Sequence, residues 1–139
     1  ARGQRRKFSA MIDRHLDSAP WLPQLKGRTL YAVGGAWRSI ARAHMARVSY
    51  PIEVIHGYTV DRGALSDYLG SLAQTSKKSV RSLPGVSRRR GDVLPTAALV
   101  LDRVLARGQP ARVVFSAFGL REGCLFDRLT EAEREKDPR

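Results

Sequence analysis

The sequence has little cysteine, few aromatic residues and about half as many acidic as basic groups. Its 139 residues include one cysteine, Cys124. A single thiol excludes an internal disulfide framework and any zinc site that needs two or more cysteines, and it fits a cytoplasmic setting. No apolar run approaches the roughly 20 residues needed to span a bilayer, so no membrane role is expected. The opening ARGQRRKFSAMIDRHL lacks both an initial Met and the apolar core of a signal peptide. It starts inside a basic, helix-like stretch and reads as the tail of something longer. His15, His44 and His56 fall on different elements without metal-ligand spacing, and Glu53, Asp61 and Asp67 make no convincing carboxylate pair. No Ser-His-Asp set is suggested either.

What the chain does have is positive charge. Lys and Arg total 25 against 13 Asp and Glu, a formal net charge of +12. Such a field favours nucleic acid, acidic lipid or a polyanionic substrate, although a soluble basic surface has the same composition. The 42% of hydrophobic residues can build a core of ordinary size, in one domain or a piece of a larger protein.

Hydrophobic spacing predicts a helix over 4–18, closed by Ala19-Pro20. A short buried strand follows at 28–33, broken by Gly34-Gly35. Trp37, Ile40, Ala41 and His44 or Met45 form the stripe of a second helix, with Arg38, Arg42 and Arg47 elsewhere on it. Residues 52–60 alternate loosely and predict a second strand, weakened by Gly57. Asp61 is a candidate N-cap for a helix through Leu72, and Thr75 to Leu83 predicts a short basic helix. Asp92 is a candidate cap for a helix carrying Pro95 in its first turn and ending at Gly108 and Pro110. Residues 113–115 predict a third strand. Leu120 to Leu129 predicts a last helix, with Cys124 in its core face, and 131–139 a frayed polar tail. The alternation argues for an α/β layer, with residues 1–24 as helix and linker and 25–130 as the core. Three strands make a thin sheet, so more of it is expected upstream.

Three stretches carry candidate chemistry. Gly34-Gly35, at the carboxyl end of a strand and the start of a helix, can be a phosphate cradle or an ordinary tight turn, and the bare motif leaves both open. No Gly-Lys-Ser/Thr follows, so it is not a Walker loop. LPGVSRRRGD places Arg88, Arg89 and Arg90 beside a helix start, with Lys77, Lys78 and Arg81 upstream. Guanidinium groups match phosphate oxygens, but a solvated basic loop reads the same way. In SAFGLREGCLF, Glu122 lies near a helix start where a carboxylate suits the dipole, and Arg121 could reach an acidic neighbour or a ligand.

Taken together, VGGAWRSIARAHM, YPIEVIHGYTV, SRRRGDVLPTAALVLDRVL, VVFSAFGLREGCLFDRL and the closing EKDP resemble the C-terminal part of the second domain of the exopolyphosphatase/guanosine pentaphosphate phosphatase (Ppx/GppA) family, over roughly residues 25 to 138. The resemblance implies a ribonuclease-H-like fold of the actin-like ATPase superfamily, present as a partial domain with a mixed sheet and packed helices. It implies magnesium-dependent hydrolysis of terminal phosphoanhydrides of polyphosphate or guanosine pentaphosphate by a bacterial enzyme.

In the family, an Asp-x-Gly-Gly-Gly-Ser loop and a glutamate base of the first domain complete the site, and neither is in this sequence. The chain alone is therefore expected to be inactive, with magnesium ligands elsewhere. Gly34, Gly35 and Ala36 match a further glycine turn that is more often Ser-Gly-Thr, which leaves backbone N–H groups as the donors. Arg90 and Asp92 match the family's R-x-D, and Arg121 and Glu122 its LRE. Substrate contacts are expected from Gly34, Gly35, Ala36, Arg89, Arg90, Lys77, Lys78 and Arg121, with Asp92 and Glu122 structural. The alternative is a non-catalytic module binding polyanions or nucleic acid. The 7% aromatic content and the lack of a stacking or zinc-finger motif argue against nucleic acid. An exposed edge strand could also pair two copies as a homodimer.

Overall fold

The computed structural model describes residues 2–84, 86 and 91–136, without the side chains of residues 2, 4, 5 and 77. Helix α1 (Arg2–Asp17) leads through a 3-10 turn (Leu22–Leu25) to strand β1 (Thr29–Val33) and helix α2 (Gly35–Arg47). Strand β2 (Tyr58–Asp61) runs into α3 (Arg62–Gln74), and α4 (Lys77–Arg81) follows. Then come α5 (Leu94–Gly108), β3 (Arg112–Ser116), α6 (Leu120–Asp127) and α7 (Glu131–Arg134).

The sheet has the order β1-β3-β2. β1 lies parallel to β3, with Thr29 opposite Arg112 and Val33 opposite Ser116. β2 lies antiparallel to β3, with Tyr58 opposite Phe115. Alternation along the strands turns Ala32, Tyr58, Val60, Val113 and Phe115 inward, while Tyr31, Val33 and Thr59 are exposed. Against the inward face pack Ile40 and Ala41 of α2, Leu65 and Leu69 of α3, and Leu94, Ala98 and Leu105 of α5, all essentially inaccessible to solvent. Truncating one of these leucines to alanine should cost about 2–5 kcal/mol. Helix α1 docks on α5 through Asp13, which accepts both Arg103 hydrogen bonds at 2.8 and 2.9 Å, and through the Asp17–Arg107 pair.

The stripe expected for α5 is correct: Leu94, Ala98, Leu101 and Leu105 are buried, and Ala97 packs against them. Several other expectations need correction. The second strand begins only at Tyr58. Gly57, at φ +80°, turns the chain there, Tyr58 N–H donates to Ile55 C=O, and Ile52 and Val54 face solvent. Asp92 does not cap α5, whose N-cap is Val93. Asp61 holds the N-cap position of α3 without a side-chain hydrogen bond. α5 ends through Gln109 in the left-handed region, not through Gly108. Cys124 is exposed, because α6 buries no residue. The expected frayed tail contains a helical turn, α7, whose N-cap Thr130 exchanges capping-box hydrogen bonds with Glu133.

Candidate phosphate-binding site

Parallel pairing of β1 and β3 decides where the site can be. Val33 and Ser116 are partners in register, so the two strands end side by side. Each then runs through a glycine into a helix, Gly34 into α2 and Gly119 into α6. Two helix N-termini therefore start at the carboxyl end of one parallel pair. There N–H groups without intrahelical acceptors and positive dipole ends favour anions.

Gly34 sits at φ 133°, ψ 164°, a combination essentially restricted to glycine. A Cβ on it would also stand 3.3 Å from Trp37 Cδ1. As N-cap, Gly34 offers no side chain to the amides of the first turn, which Gly35 and Ala36 open, both half-buried. Ser39 is buried and donates back to the Gly35 carbonyl at 3.1 Å.

The second helix start is different, because its own carboxylate occupies it. Glu122 Oε2 accepts the Gly119 N–H at 2.7 Å, the half of a capping box that a glycine N-cap allows. Hydrogen bonds from its own backbone and from Gly119, then the charges of Arg121 and Arg38, hold the Glu122 carboxyl below the ordinary carboxylate range. Arg121 itself is exposed. The first turn of α2 carries no acidic residue of its own.

The described start of the basic loop, Leu83 and Pro84, lies elsewhere along α2. Leu83 and Pro84 line a cavity of about 260 Å³ with Ala43, Ala46, Arg47 and Tyr68. Those α2 residues are about 8–12 positions beyond Gly35, roughly 12–18 Å along the helix at 1.5 Å per residue. Arg89 and Arg90 lie outside the described residues, as does the side chain of Lys77, and Lys78 is exposed on α4. Asp92, expected as a cap, instead accepts both hydrogen bonds from Arg81 at 2.7 and 2.8 Å. Gly91 makes that closure feasible, since a Cβ there would meet Arg81 Cγ at 2.6 Å.

A sequence profile supplies the decisive comparison, matching residues 7–132 to the Ppx/GppA phosphatase family. This chain belongs to the Ppx/GppA phosphatase family.

Solved structures of Ppx/GppA and exopolyphosphatase proteins carry the same mixed α/β fold. The Aquifex aeolicus family member superposes with a TM-score of 0.72 at 18% identity, over 99% of this chain and 43% of its own. An exopolyphosphatase from Cytophaga hutchinsonii gives 0.77 at 16% identity, over 91% and 41%. An exopolyphosphatase-like protein gives 0.79 at 23% identity, over 91% and 42%. The chain thus spans about two fifths of the length of these Ppx/GppA structures. No curated protein sequence matches it.

Two features of this Ppx/GppA site were not read from the sequence. Arg38, in the first turns of α2, donates from Nη1 to the Ala117 carbonyl beyond β3. His44 is buried beneath the site's own helix and hydrogen-bonded to Tyr58. Helical spacing places both residues on α2, but only the β1–β3 pairing brings Ala117 within reach of Arg38.

Proposed function

We propose that this chain forms one lip of the phosphate cleft of a phosphohydrolase that removes terminal phosphate from inorganic polyphosphate, guanosine pentaphosphate or both. The observation that carries the reading is the start of α2 at the carboxyl end of the parallel pair, entered through Gly34, in a chain of the Ppx/GppA phosphatase family. Backbone N–H groups at Gly35 and Ala36 would hold phosphate oxygens without side-chain hydroxyls. Arg90, Arg89, Lys77, Lys78 and Arg121 would add attraction for a polyanion, with release of its counterions.

The chain's part in the reaction is positioning and electrostatic stabilisation of a phosphoryl group. No carboxylate at the site among the described residues is placed as a base, since Glu122 is engaged at Gly119. Among the described residues no three of His, Cys, Asp and Glu come together as metal ligands. We assign the magnesium ligands, like the base, to other parts of the enzyme. Among the described residues no helix is long and apolar enough to cross a membrane.

The test is phosphate release from long polyphosphate and from guanosine pentaphosphate, with magnesium, by the full-length product of the gene encoding this chain. Release from at least one substrate is expected, with loss in a Gly34→Val variant that stays folded. If the product releases phosphate from neither, or binds single-stranded DNA as tightly as polyphosphate at matched charge and salt, the non-catalytic alternative stands instead.

A further inference from the structure

Arg38 stands where helix energetics alone would not put it. A cation near a helix N-terminus opposes the dipole, yet Arg38 occupies the fourth position of α2. Its guanidinium does not point to solvent. It is part-buried and donates from Nη1 to the carbonyl of Ala117, 79 positions away in the chain. Ala117 follows β3 directly and begins the turn that holds Gly119 and Glu122. Among the described residues the turn's other hydrogen bonds are short-range, Phe118 N–H to Ser116 Oγ, Gly119 N–H to Glu122 Oε2 and Gly123 N–H to Gly119 C=O, and the Phe118 ring packs on His56 with centroids 4.5 Å apart. The Arg38 bond is the one among these that joins the turn to the other strand-to-helix junction. Arg38 is also close enough for its charge to favour the Glu122 carboxylate.

We infer that Arg38 is a positioning residue of the phosphate lip: it clamps the β3–α6 turn against the β1–α2 turn and keeps the Glu122 carboxylate seated on α6. The seated carboxylate repels an incoming phosphate from the start of α6. Phosphate is then steered away from the start of α6 and toward the start of α2. Arg38 acts through the turn and does not touch substrate. This inference rests on the proposed function, since it assigns a role within the same site.

Two experiments separate failure of the inference from failure of that reading. In the full-length phosphatase, Arg38→Ala should lower kcat at least tenfold with KM changed less than threefold, because alignment is lost and bulk attraction is not. Arg38→Lys keeps a donor and a charge and should restore much of kcat. Arg62→Ala, which removes an exposed charge at the start of α3, should match wild type. In the 139-residue chain, carboxyl NMR titration should show the Glu122 pKa rising in Arg38→Ala and returning toward wild type in Arg38→Lys. The Gly119 amide should shift while the melting temperature holds. Inactivity of the wild-type enzyme on both substrates would end the functional reading and leave the NMR result to decide the clamp. An unmoved Glu122 pKa and Gly119 amide in Arg38→Ala overturns the inference, as does a kcat equal to that of Arg62→Ala.

Discussion

His44 Nδ1 lies 2.7 Å from the Tyr58 hydroxyl, a buried bond between α2 and β2. The His44 ring also meets Tyr68 edge-on, with centroids 4.9 Å apart at 76°, and Arg47 stacks over the other side of this cluster, 5.5 Å from the Tyr68 centroid. The described residues contain no buried side-chain polar atom without a partner. His44 therefore ties α2 to the sheet through a polar contact in a mostly apolar core.

This bond predicts a pH dependence of stability. Burial, then the Arg47 charge, lowers the His44 pKa below its ordinary 6.5. Above pH 6.5 the imidazole is neutral in both folded and unfolded chains. Below it, the unfolded chain takes up a proton that the folded one resists, so stability falls as the pH drops through the folded pKa. Urea midpoints between pH 5 and 8 should decline below 6.5 for wild type and stay flatter for His44→Gln. Parallel curves would remove His44 as the cause.

His44→Leu should cost about 1–3 kcal/mol, chiefly by leaving the Tyr58 hydroxyl buried and unpaired. Tyr58→Phe added to His44→Leu should recover part of that loss. A double variant as unstable as the sum of the singles would mean that packing, and not the hydrogen bond, carries the effect.

Gly34→Ala should strain the β1–α2 turn by about 1–3 kcal/mol and push on Trp37. In the full-length enzyme it should reduce polyphosphate turnover by more than tenfold while Trp37 fluorescence shifts. Ordinary turnover with a shifted Trp37 would show that the turn tolerates change and does not hold phosphate.

Gly91→Ala should cost about 1–3 kcal/mol by forcing Arg81 away from Asp92. In an Arg81→Ala background most of that cost should vanish, because the Cγ that a new methyl would strike is gone. Thermal melts of the four variants measure the coupling, and additive losses would place the strain elsewhere.

Arg90→Ala should weaken polyphosphate binding roughly 10- to 100-fold, the equivalent of one charge-assisted bond to phosphate. Arg90→Lys should recover a part. Arg47, although exposed, is an unsuitable control because it stacks on Tyr68, whereas Arg62 serves. Equal losses in Arg90→Ala and Arg62→Ala would reduce the basic loop to a diffuse field. The isolated 139-residue chain, lacking a placed base, should release no phosphate from polyphosphate above a contaminant control.

The periodicity of α2 and α5, the apolar run of β1, the glycine breaks and the family's motifs were all legible in the residues, because each depends on neighbours within a few positions. So was the Glu122 position near a helix start. The start of the second strand was not, since Gly57 at positive φ and the exposure of Ile52 and Val54 follow from what the sheet covers. Nor was the partner of Asp92, because a carboxylate beside a helix start can cap it or take an arginine, and only the packing of α4 beside Gly91 chose Arg81. The side-by-side helix starts at Gly34 and Gly119, and the reach of Arg38 to Ala117, depend on strands 83 residues apart pairing in parallel. Hydrophobic periodicity carries no register across such separations, so tertiary pairing alone decided how the phosphate lip is built.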